Sequence, residues 1–177
     1  MNKAPACTGC GKCYYRKQRF VGGRGNINAP LVIIGESPGS DELITGKPFT
    51  GPSGKILQRE LDKAGLTEND YWITNAMQCI PVKVEDSKKN QEHLAKAARV
   101  CNARLSAEIH AAPRKLILAV GGPAAWTVTG NDSIKITQIR GRLLKSDLAE
   151  IGIMPTVHPA FLLRGGAGYT TKFKEDI

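Results

Sequence analysis

The sequence LVIIG at residues 31–35 is a short apolar run, rich in β-branched side chains, that ends at a glycine. A run of this length and composition is typical of a strand that is buried on both faces of a parallel sheet. Three similar runs follow at residues 71–74, 115–120 and 151–157. The sequence therefore predicts four buried strands in one sheet.

Patterns typical of helices lie between the predicted strands. Residues 51–64 carry apolar side chains at helical spacing and are closed by Gly65, and a longer apolar stripe within residues 89–111 ends before Pro113. A short helix is predicted near Trp126. Strands that alternate with helices indicate a parallel sheet with helices on both faces. We therefore expect an α/β fold of three layers, α/β/α, with a four-stranded parallel sheet.

Two regions lack these patterns. Residues 81–90 are polar and rich in lysine, and are predicted to form a surface loop. The tail after Arg164 is short, so that a closing helix is not expected there.

The composition is that of a folded protein with an excess of positive charge. The 177 residues include 25 Lys and Arg against 16 Asp and Glu, a net charge of +9, which favours a polyanionic partner or simply a solvated basic face. The hydrophobic content of 41% excludes wholesale disorder, and the length suits a single domain over residues 1–177. No apolar run approaches the ~18–20 residues of a membrane span, and the first residues lack a signal-peptide core. We therefore expect a cytoplasmic protein with no membrane partner.

Polar residues stand at the predicted ends of three of the four strands, and a glycine turn stands at the fourth. They are the segment at residues 35–39, which contains Glu36, then Asn75, then residues 121–122, and finally His158. Open α/β sheets bind ligands beyond the carboxyl ends of their strands. A carboxylate, an amide and an imidazole are therefore expected to converge at a site that reads a small planar group and carries out acid/base or charge-stabilising chemistry.

Common cofactor motifs are absent. The pair Gly54-Lys55 lacks the earlier glycine of a phosphate-binding loop, since position 49 is Phe49, and residues 22–25 precede the first strand instead of following it. His93 and His110 lie in the helical stretch and are predicted to be surface or structural residues.

The five cysteines suggest a metal centre. Cys7, Cys10 and Cys13 form two overlapping CxxC pairs at the start of a Cys-, Gly- and basic-rich segment over residues 1–30, while Cys79 follows the second strand and Cys101 lies on the apolar stripe of a helix. In a reducing compartment, clustered cysteines favour metal or redox chemistry over disulfides. Four thiolates suit either zinc or an iron–sulfur cluster, and their spacing alone does not decide between the two.

Five short stretches of the sequence match one family. They are residues 35–42 (GESPGSDE), 46–51 (GKPFTG), 73–75 (ITN) followed by Cys79, 140–141 (RG) and 158–164 (HPAFLLR). With these stretches, from about residue 7 to residue 164, the chain resembles the family 4 uracil-DNA glycosylases, the iron–sulfur branch of the uracil-DNA glycosylase superfamily. The resemblance implies an enzyme of base excision repair that flips uracil out of DNA and hydrolyses its N-glycosidic bond, leaving an abasic site.

The resemblance also implies roles for individual residues in the uracil pocket. Phe49 would stack on the flipped base, and Asn75 would read its edge. Glu36 would form part of the pocket wall and help to place the attacking water, and Glu42 would fill the space near C5 and exclude thymine. His158 would lie near uracil O2 and stabilise the uracil anion that develops as the bond breaks.

Outside the pocket, the resemblance implies contacts to single- or double-stranded DNA and a bound metal cluster. Leu162, Leu163 and Arg164 would enter the duplex where the base has left, and the backbone at Pro52, Ser53, Gly121 and Gly122 would approach phosphates. The cofactor implied is a 4Fe–4S cluster, with Cys10, Cys13, Cys79 and Cys101 as ligands and Cys7 as the alternative N-terminal ligand. The protein is expected to act as a monomer.

Some features depart from the family pattern, and other functions remain open. The 21 residues between Cys79 and Cys101 form a longer gap than usual, so residues 83–91 are interpreted as an insertion, and position 37 is Ser37, where the better-known branch has a water-activating Asp. The main alternative is a relative that binds uracil-containing DNA without turnover. One such branch traps DNA through a His in an arginine-rich insert, whereas residues 83–91 contain neither His nor Arg. A structural zinc module would leave the strand-end residues unexplained.

Overall fold

The computed structural model describes residues 20–81, 84–145 and 151–177. Within these ranges a single sheet has six strands in the order β1-β3-β2-β4-β6-β5. The strands are β1 Arg24–Gly25, β2 Leu31–Gly35, β3 Tyr71–Asn75, β4 Leu116–Val120, β5 Leu144–Lys145 and β6 Gly152–Thr156.

The four central strands confirm the predicted parallel arrangement. Strand β2 pairs in parallel with both β3 and β4, and β4 pairs in parallel with β6. The expected number of four strands is corrected to six, because β1 and β5 add antiparallel partners at the two edges. Each edge strand is two residues long and therefore has no apolar run that a sequence pattern could show.

Helices connect and cover the strands. They are α1 Ser40–Thr45, α2 Pro52–Lys63, α3 Ser87–His110, α4 Gly122–Thr129, α5 Ile136–Ile139, α6 Pro159–Leu163 and α7 Thr170–Asp176, with a 3-10 turn at Ala167–Tyr169. None of the helices in the described ranges is long and apolar enough to cross a membrane.

Two helices differ from the sequence prediction. Helix α3 begins inside the expected surface loop, because the Asp86 side chain accepts a hydrogen bond from the Lys89 N–H and caps the first turn. The chain also closes with α7, which was not expected. This short helix is held by the buried ring of Phe173 and by the Asp176 carboxylate, which accepts hydrogen bonds from Arg140 and from Thr156 Oγ1.

The core has one part on each face of the sheet, which confirms the three-layer α/β/α arrangement. Side chains alternate along β2, so that Val32 and Ile34 face one layer while Ile33 faces the other. Helices α3 and α4 cover the first face, through residues such as Leu105 and Ala125. Helices α2 and α7 cover the second face. Because the central strands are parallel, their carboxyl ends meet at one edge, and the candidate site lies there.

Candidate active site

A cavity of about 280 Å³ opens at the carboxyl ends of the parallel strands. Its walls come from four separate parts of the chain: the segment after β2, the start of α2, the end of β3 and the start of α6. It brings together eight of the residues predicted for the site, namely Glu36, Glu42, Phe49, Pro52, Ser53, Asn75, His158 and Arg164. Glu36, Asn75 and His158, which were predicted at the ends of three strands, thus line one shared cavity.

Asn75 and Phe49 meet at Gly35, the last residue of β2. A Cβ atom at Gly35 would lie 2.4 Å from Asn75 Oδ1 and 2.4 Å from Phe49 Cζ. A side chain at this position would therefore displace both groups. Asn75 is 3% exposed, and its side-chain amide makes no hydrogen bond to the residues that the structure describes. A buried amide that lines a cavity in this way has its donor and its acceptor available to a ligand.

Phe49 is held in an unusual backbone conformation. Its φ of 56° is left-handed, which costs a residue with a side chain about 1–2 kcal/mol. Helix α2 begins directly against it, since a Cβ at Gly54 would lie 2.0 Å from the Phe49 carbonyl oxygen. The ring is 8% exposed and stacks with the His158 ring, with centroids 6.1 Å apart and planes at 24°. The strained backbone therefore fixes an aromatic face in the cavity wall.

His158 caps the short helix α6 through its side chain. Its Nδ1 accepts a hydrogen bond of 3.1 Å from the Ala160 N–H. Burial lowers the pKa of His158 to about 4, the positive charge of Arg164 acts in the same direction, and Glu42 acts against them. The imidazole is therefore neutral at pH 7. Because Nδ1 is an acceptor, the single ring proton is on Nε2, which makes Nε2 a neutral hydrogen-bond donor.

The Glu42 carboxylate is hydrogen-bonded to backbone N–H groups of the cavity wall. Its carboxylate accepts hydrogen bonds from the N–H groups of Gly39 at 2.8 Å, Thr50 at 2.9 Å and Gly51 at 2.8 Å. These bonds join the segment after β2 to the loop that precedes α2. Sequence reasoning did not foresee this use, because the two segments come together only in the folded chain.

Glu36 is half-buried at the start of the segment that follows β2. Burial raises the pKa of its carboxyl group, and the positive charge of Arg164 opposes this. The Glu36 carbonyl oxygen accepts a hydrogen bond from the Met77 N–H, which ties this residue to the chain just beyond β3. A carboxylate whose pKa is raised in this way is a stronger base than an exposed glutamate, which suits it to accept a proton.

Gly121 and Gly122 do not line the cavity. The Gly121 N–H donates to the Thr156 carbonyl oxygen, so it already has an acceptor within the chain. A Cβ at Gly121 would lie 3.1 Å from His158 Cβ. Gly121 therefore allows the end of β4 to approach His158. The N–H of Gly122 belongs to the first turn of α4 and is the better placed of the two for a phosphate.

The three residues predicted to enter the duplex, Leu162, Leu163 and Arg164, differ in exposure. Leu162 is half-buried and packs against the core on the second face of the sheet, whereas Leu163 is 56% exposed and Arg164 is exposed. Phe161, which was not among the predicted site residues, is also exposed. Its ring and that of Tyr169 form an edge-to-face pair with centroids 5.4 Å apart.

Two of the predicted metal ligands lie in the described part of the chain. Cys79 is buried, and Cys101 packs against the apolar cluster that contains Met77, two residues before Cys79. Cys7, Cys10 and Cys13 lie outside the described residues. The Val21 N–H donates to the Gln78 carbonyl oxygen at 3.0 Å, so the segment that carries these three cysteines joins the fold beside Cys79.

Cys79 and Cys101 are thus the two candidate thiolate ligands in the described part of the chain. Among the described residues alone, no group of three or more His, Cys, Asp or Glu side chains could hold a metal.

Comparison with known proteins gives consistent matches. The model of a family described as the uracil DNA glycosylase superfamily matches residues 23–177. The chain is 30% identical over 158 residues to the type-4 uracil-DNA glycosylase of Thermotoga maritima, covering 89% of this chain and 78% of that protein. It is 33% identical over 162 residues to the type-4 uracil-DNA glycosylase of Saccharolobus solfataricus, covering 87% of this chain and 72% of that protein. The protein of the same name from Archaeoglobus fulgidus is 29% identical over 161 residues, covering 87% and 78%.

Proposed function

Because the chain belongs to the uracil DNA glycosylase superfamily, we propose that it excises uracil from DNA by hydrolysing the N-glycosidic bond and leaves an abasic site for repair. The observation that carries this proposal is one cavity lined by an aromatic ring, a neutral imidazole donor and an amide that bonds to none of the described residues. Its volume of about 280 Å³ lies at the lower end of ligand pockets, typically ~300–1,000 Å³, and suits one base rather than a base pair.

Recognition of uracil is assigned to Phe49 and Asn75. A base inside a duplex is out of reach, so it must leave the stack before it can enter this cavity. The Phe49 ring offers a face for stacking. The Asn75 amide can accept from uracil N3–H and donate to O4, whereas cytosine presents an acceptor and a donor at these positions and is mismatched.

Glu42 is assigned to the exclusion of thymine. The three backbone hydrogen bonds to its carboxylate make the cavity wall between α1 and α2 rigid. We place C5 of uracil against this wall, where thymine carries an additional methyl group. A wall that cannot move aside excludes the methyl by overlap.

His158 and Glu36 are assigned to bond cleavage. As the bond between C1′ and uracil N1 breaks, its electron pair remains on the base and the sugar becomes cationic. The Nε2–H of His158 would donate to O2, where negative charge develops, and a fixed donor of this kind lowers the barrier. Water then bonds to C1′, and the proton that it loses is accepted by the Glu36 carboxylate. Burial and the raised pKa of Glu36 support this assignment.

Residues around the cavity are assigned to contacts with the rest of the DNA. Pro52 and Ser53 form the first turn of the 12-residue helix α2 and are assigned, with Gly121 and Gly122, to phosphate contacts. Leu163 and Arg164 are assigned to the gap left by the flipped base, with Leu162 as their packed support. We propose that the protein acts as a monomer and a single domain.

The cofactor is proposed to be a 4Fe–4S cluster held by Cys10, Cys13, Cys79 and Cys101, with Cys7 as the alternative ligand. The supporting observations are that Cys101 packs against the apolar cluster that contains Met77, and that Val21, near the start of the described chain, bonds to Gln78, the residue before Cys79. When bound, such a cluster would link that segment to the sheet, and no step of the excision reaction requires it.

The test is release of uracil over many turnovers. Wild-type protein is incubated with an excess of an oligonucleotide that contains one uracil, and free uracil and alkali-labile sites are counted. We expect several uracils for each protein molecule, and none from matched oligonucleotides with cytosine or thymine. DNA binding with less than one uracil released per protein would support the alternative, a relative that binds uracil-containing DNA without turnover.

A further inference from the structure

Arg104 crosses from α3 to the end of β3, outside the cavity. We propose that Arg104 is a positioning residue that sets the location of Asn75 and thereby the enzyme's recognition of uracil. This inference rests on the proposed function, because it concerns how the same site reads its base.

The Arg104 guanidinium holds three consecutive residues of the chain. Its Nη2 donates to the carbonyl oxygens of Asn75 at 2.7 Å and of Ala76 at 2.9 Å. Its Nη1 donates to Thr74 Oγ1 at 3.2 Å and to Glu108 Oε1 at 3.1 Å. A planar fork of donors can make all of these contacts at once, which a lysine ammonium cannot do.

The carbonyl groups of Asn75 and Ala76 need a hydrogen-bond donor, because in the described part of the chain no strand pairs with these two residues on the outer side of β3. Strand β1 is the outer neighbour of β3, and its register stops at the pair of Arg24 with Ile73. On the inner side, β2 pairs up to Gly35 and Asn75, and the Ala76 N–H donates to the Gly35 carbonyl oxygen. In the described part of the chain, Arg104 therefore takes the place of the missing strand beside the last residues of β3.

The electrostatic setting keeps the guanidinium in place. The Arg104 and Glu108 side chains are only 13% and 17% exposed, and they form an ion pair one helical turn apart. Glu108 also accepts a hydrogen bond of 2.9 Å from Trp72 Nε1. The Arg104 Nε is buried and has no hydrogen-bond partner among the residues that the structure describes. A buried ion pair of this kind is often no more stabilising than an apolar pair, but an apolar side chain could not hold two carbonyl groups.

The Asn75 amide depends on this backbone support. Its side chain makes no hydrogen bond within the described residues, so its donor and acceptor are placed by its backbone and by packing at Gly35. Misplacement of a substrate-reading group by ~1 Å costs of the order of 100-fold in rate. Loss of the Arg104 donors should therefore act on catalysis through Asn75.

The experiment is a double-mutant cycle on uracil excision with the full chain. Arg104→Met keeps the length of the side chain and removes the donors, and we expect kcat/KM to fall by ~30–100-fold. Asn75→Ala should cost a similar factor. If Arg104 acts through Asn75, Arg104→Met should change the rate of the Asn75→Ala protein by less than ~3-fold. Arg104→Lys, which keeps the charge, should lose ~5–10-fold and supplies a second, milder variant if Arg104→Met folds poorly.

The chain offers a matched control in Arg114. This buried arginine donates to the carbonyl oxygen of Ala29, just before β2, and to the backbone carbonyl oxygen of Glu108 in α3, and it makes none of the contacts of Arg104 with residues 74–76. Arg114→Met should lower the melting temperature and leave kcat/KM within ~3-fold of wild type.

Two results would overturn the inference. The first is that folded Arg104→Met or Arg104→Lys protein excises uracil at the wild-type rate. The second is that the double variant loses kcat/KM by the product of the losses seen for Arg104→Met and Asn75→Ala alone. Wild-type protein that releases no uracil would instead remove the proposed function, and this inference with it.

Discussion

The rings of Phe49 and His158 are nearly parallel, with centroids 6.1 Å apart and planes at 24°. A base stacked on the Phe49 ring would therefore lie nearly parallel to the imidazole as well. Carbonyl oxygens accept best near their own plane, so a ring N–H that lies beside the edge of such a base could donate to it. The proposed roles of the two residues, recognition of the base and stabilisation of its charge, are thus linked through the mutual orientation of their rings.

Removal of the imidazole should slow bond cleavage far more than DNA binding. His158→Ala is expected to reduce the single-turnover rate of excision by ~100–1,000-fold, the usual cost of losing a donor at a developing anion. Affinity for an oligonucleotide with an abasic site should be within a few-fold of wild type. His110→Ala is the matched control, since His110 is exposed on α3 and contacts Ser106. Equal rates for the two variants would contradict the assignment of His158.

The pH dependence of excision should follow Glu36 and not His158. Glu36 must be ionised to accept a proton, and burial raises its pKa above the ordinary 4.5, with Arg164 opposing. The rate should therefore be full above this raised pKa and fall as the pH decreases through it. His158 remains neutral down to about pH 4 and contributes no step near its ordinary pKa of 6.5.

The measurement is the single-turnover rate from about pH 4 to pH 8 for wild type and Glu36→Gln. The variant should be slower and should lack the acid limb of the wild-type profile. An acid limb near 6.5 that persists in Glu36→Gln would assign the titration to another group.

Addition of one methyl group at Gly35 should disable the pocket. In Gly35→Ala the new Cβ would overlap Asn75 Oδ1 and the Phe49 ring, each 2.4 Å away. We expect excision to fall by at least ~100-fold, because both reading groups must shift. Gly22→Ala is the control, since none of the described residues lies within 4 Å of a Cβ at that position. Normal uracil release by Gly35→Ala protein would show that the base is bound elsewhere.

The cysteine ligands can be assigned by colour. Purified wild-type protein should be brown, with the broad visible absorption and the iron and sulfide content of an iron–sulfur protein. Cys10→Ala, Cys13→Ala, Cys79→Ala and Cys101→Ala should each lose most of this absorption, whereas Cys7→Ala should keep it. Loss in Cys7→Ala and retention in Cys10→Ala would instead make Cys7 the ligand. A colourless wild-type protein with bound zinc would refute the cluster.

The sequence was informative where one segment alone determines the structure. The apolar run at residues 31–35 predicts a buried strand because nearly every residue in it must avoid water, and the glycine that ends it marks the edge of the sheet. Polar residues that follow such strands, such as Asn75 and His158, were for the same reason expected at one site. The structure brings them into one cavity.

Features that depend on distant partners could not be predicted. Strands β1 and β5 exist because a neighbouring strand pairs with them, and α7 exists because Asp176 bonds with Arg140 and Thr156. The contacts of Arg104 likewise join segments that are far apart in the sequence, and those of Glu42 join two loops eight or nine residues apart whose meeting no local pattern indicates. A charged residue in a helix gives no local sign that it will hold a carbonyl group 28 or 29 positions away.

The strand order has a consequence for the order in which the site is made. Glu36, Phe49 and Asn75 belong to the first half of the chain, and their strands β2 and β3 are direct neighbours. His158 follows β6, which pairs with β4 on the far side of β2. During synthesis from the amino terminus, the side of the cavity formed by Glu36, Phe49 and Asn75 can therefore assemble before His158 is available. If His158 has the proposed role, newly made chains would gain hydrolytic activity only after the final parallel strand docks.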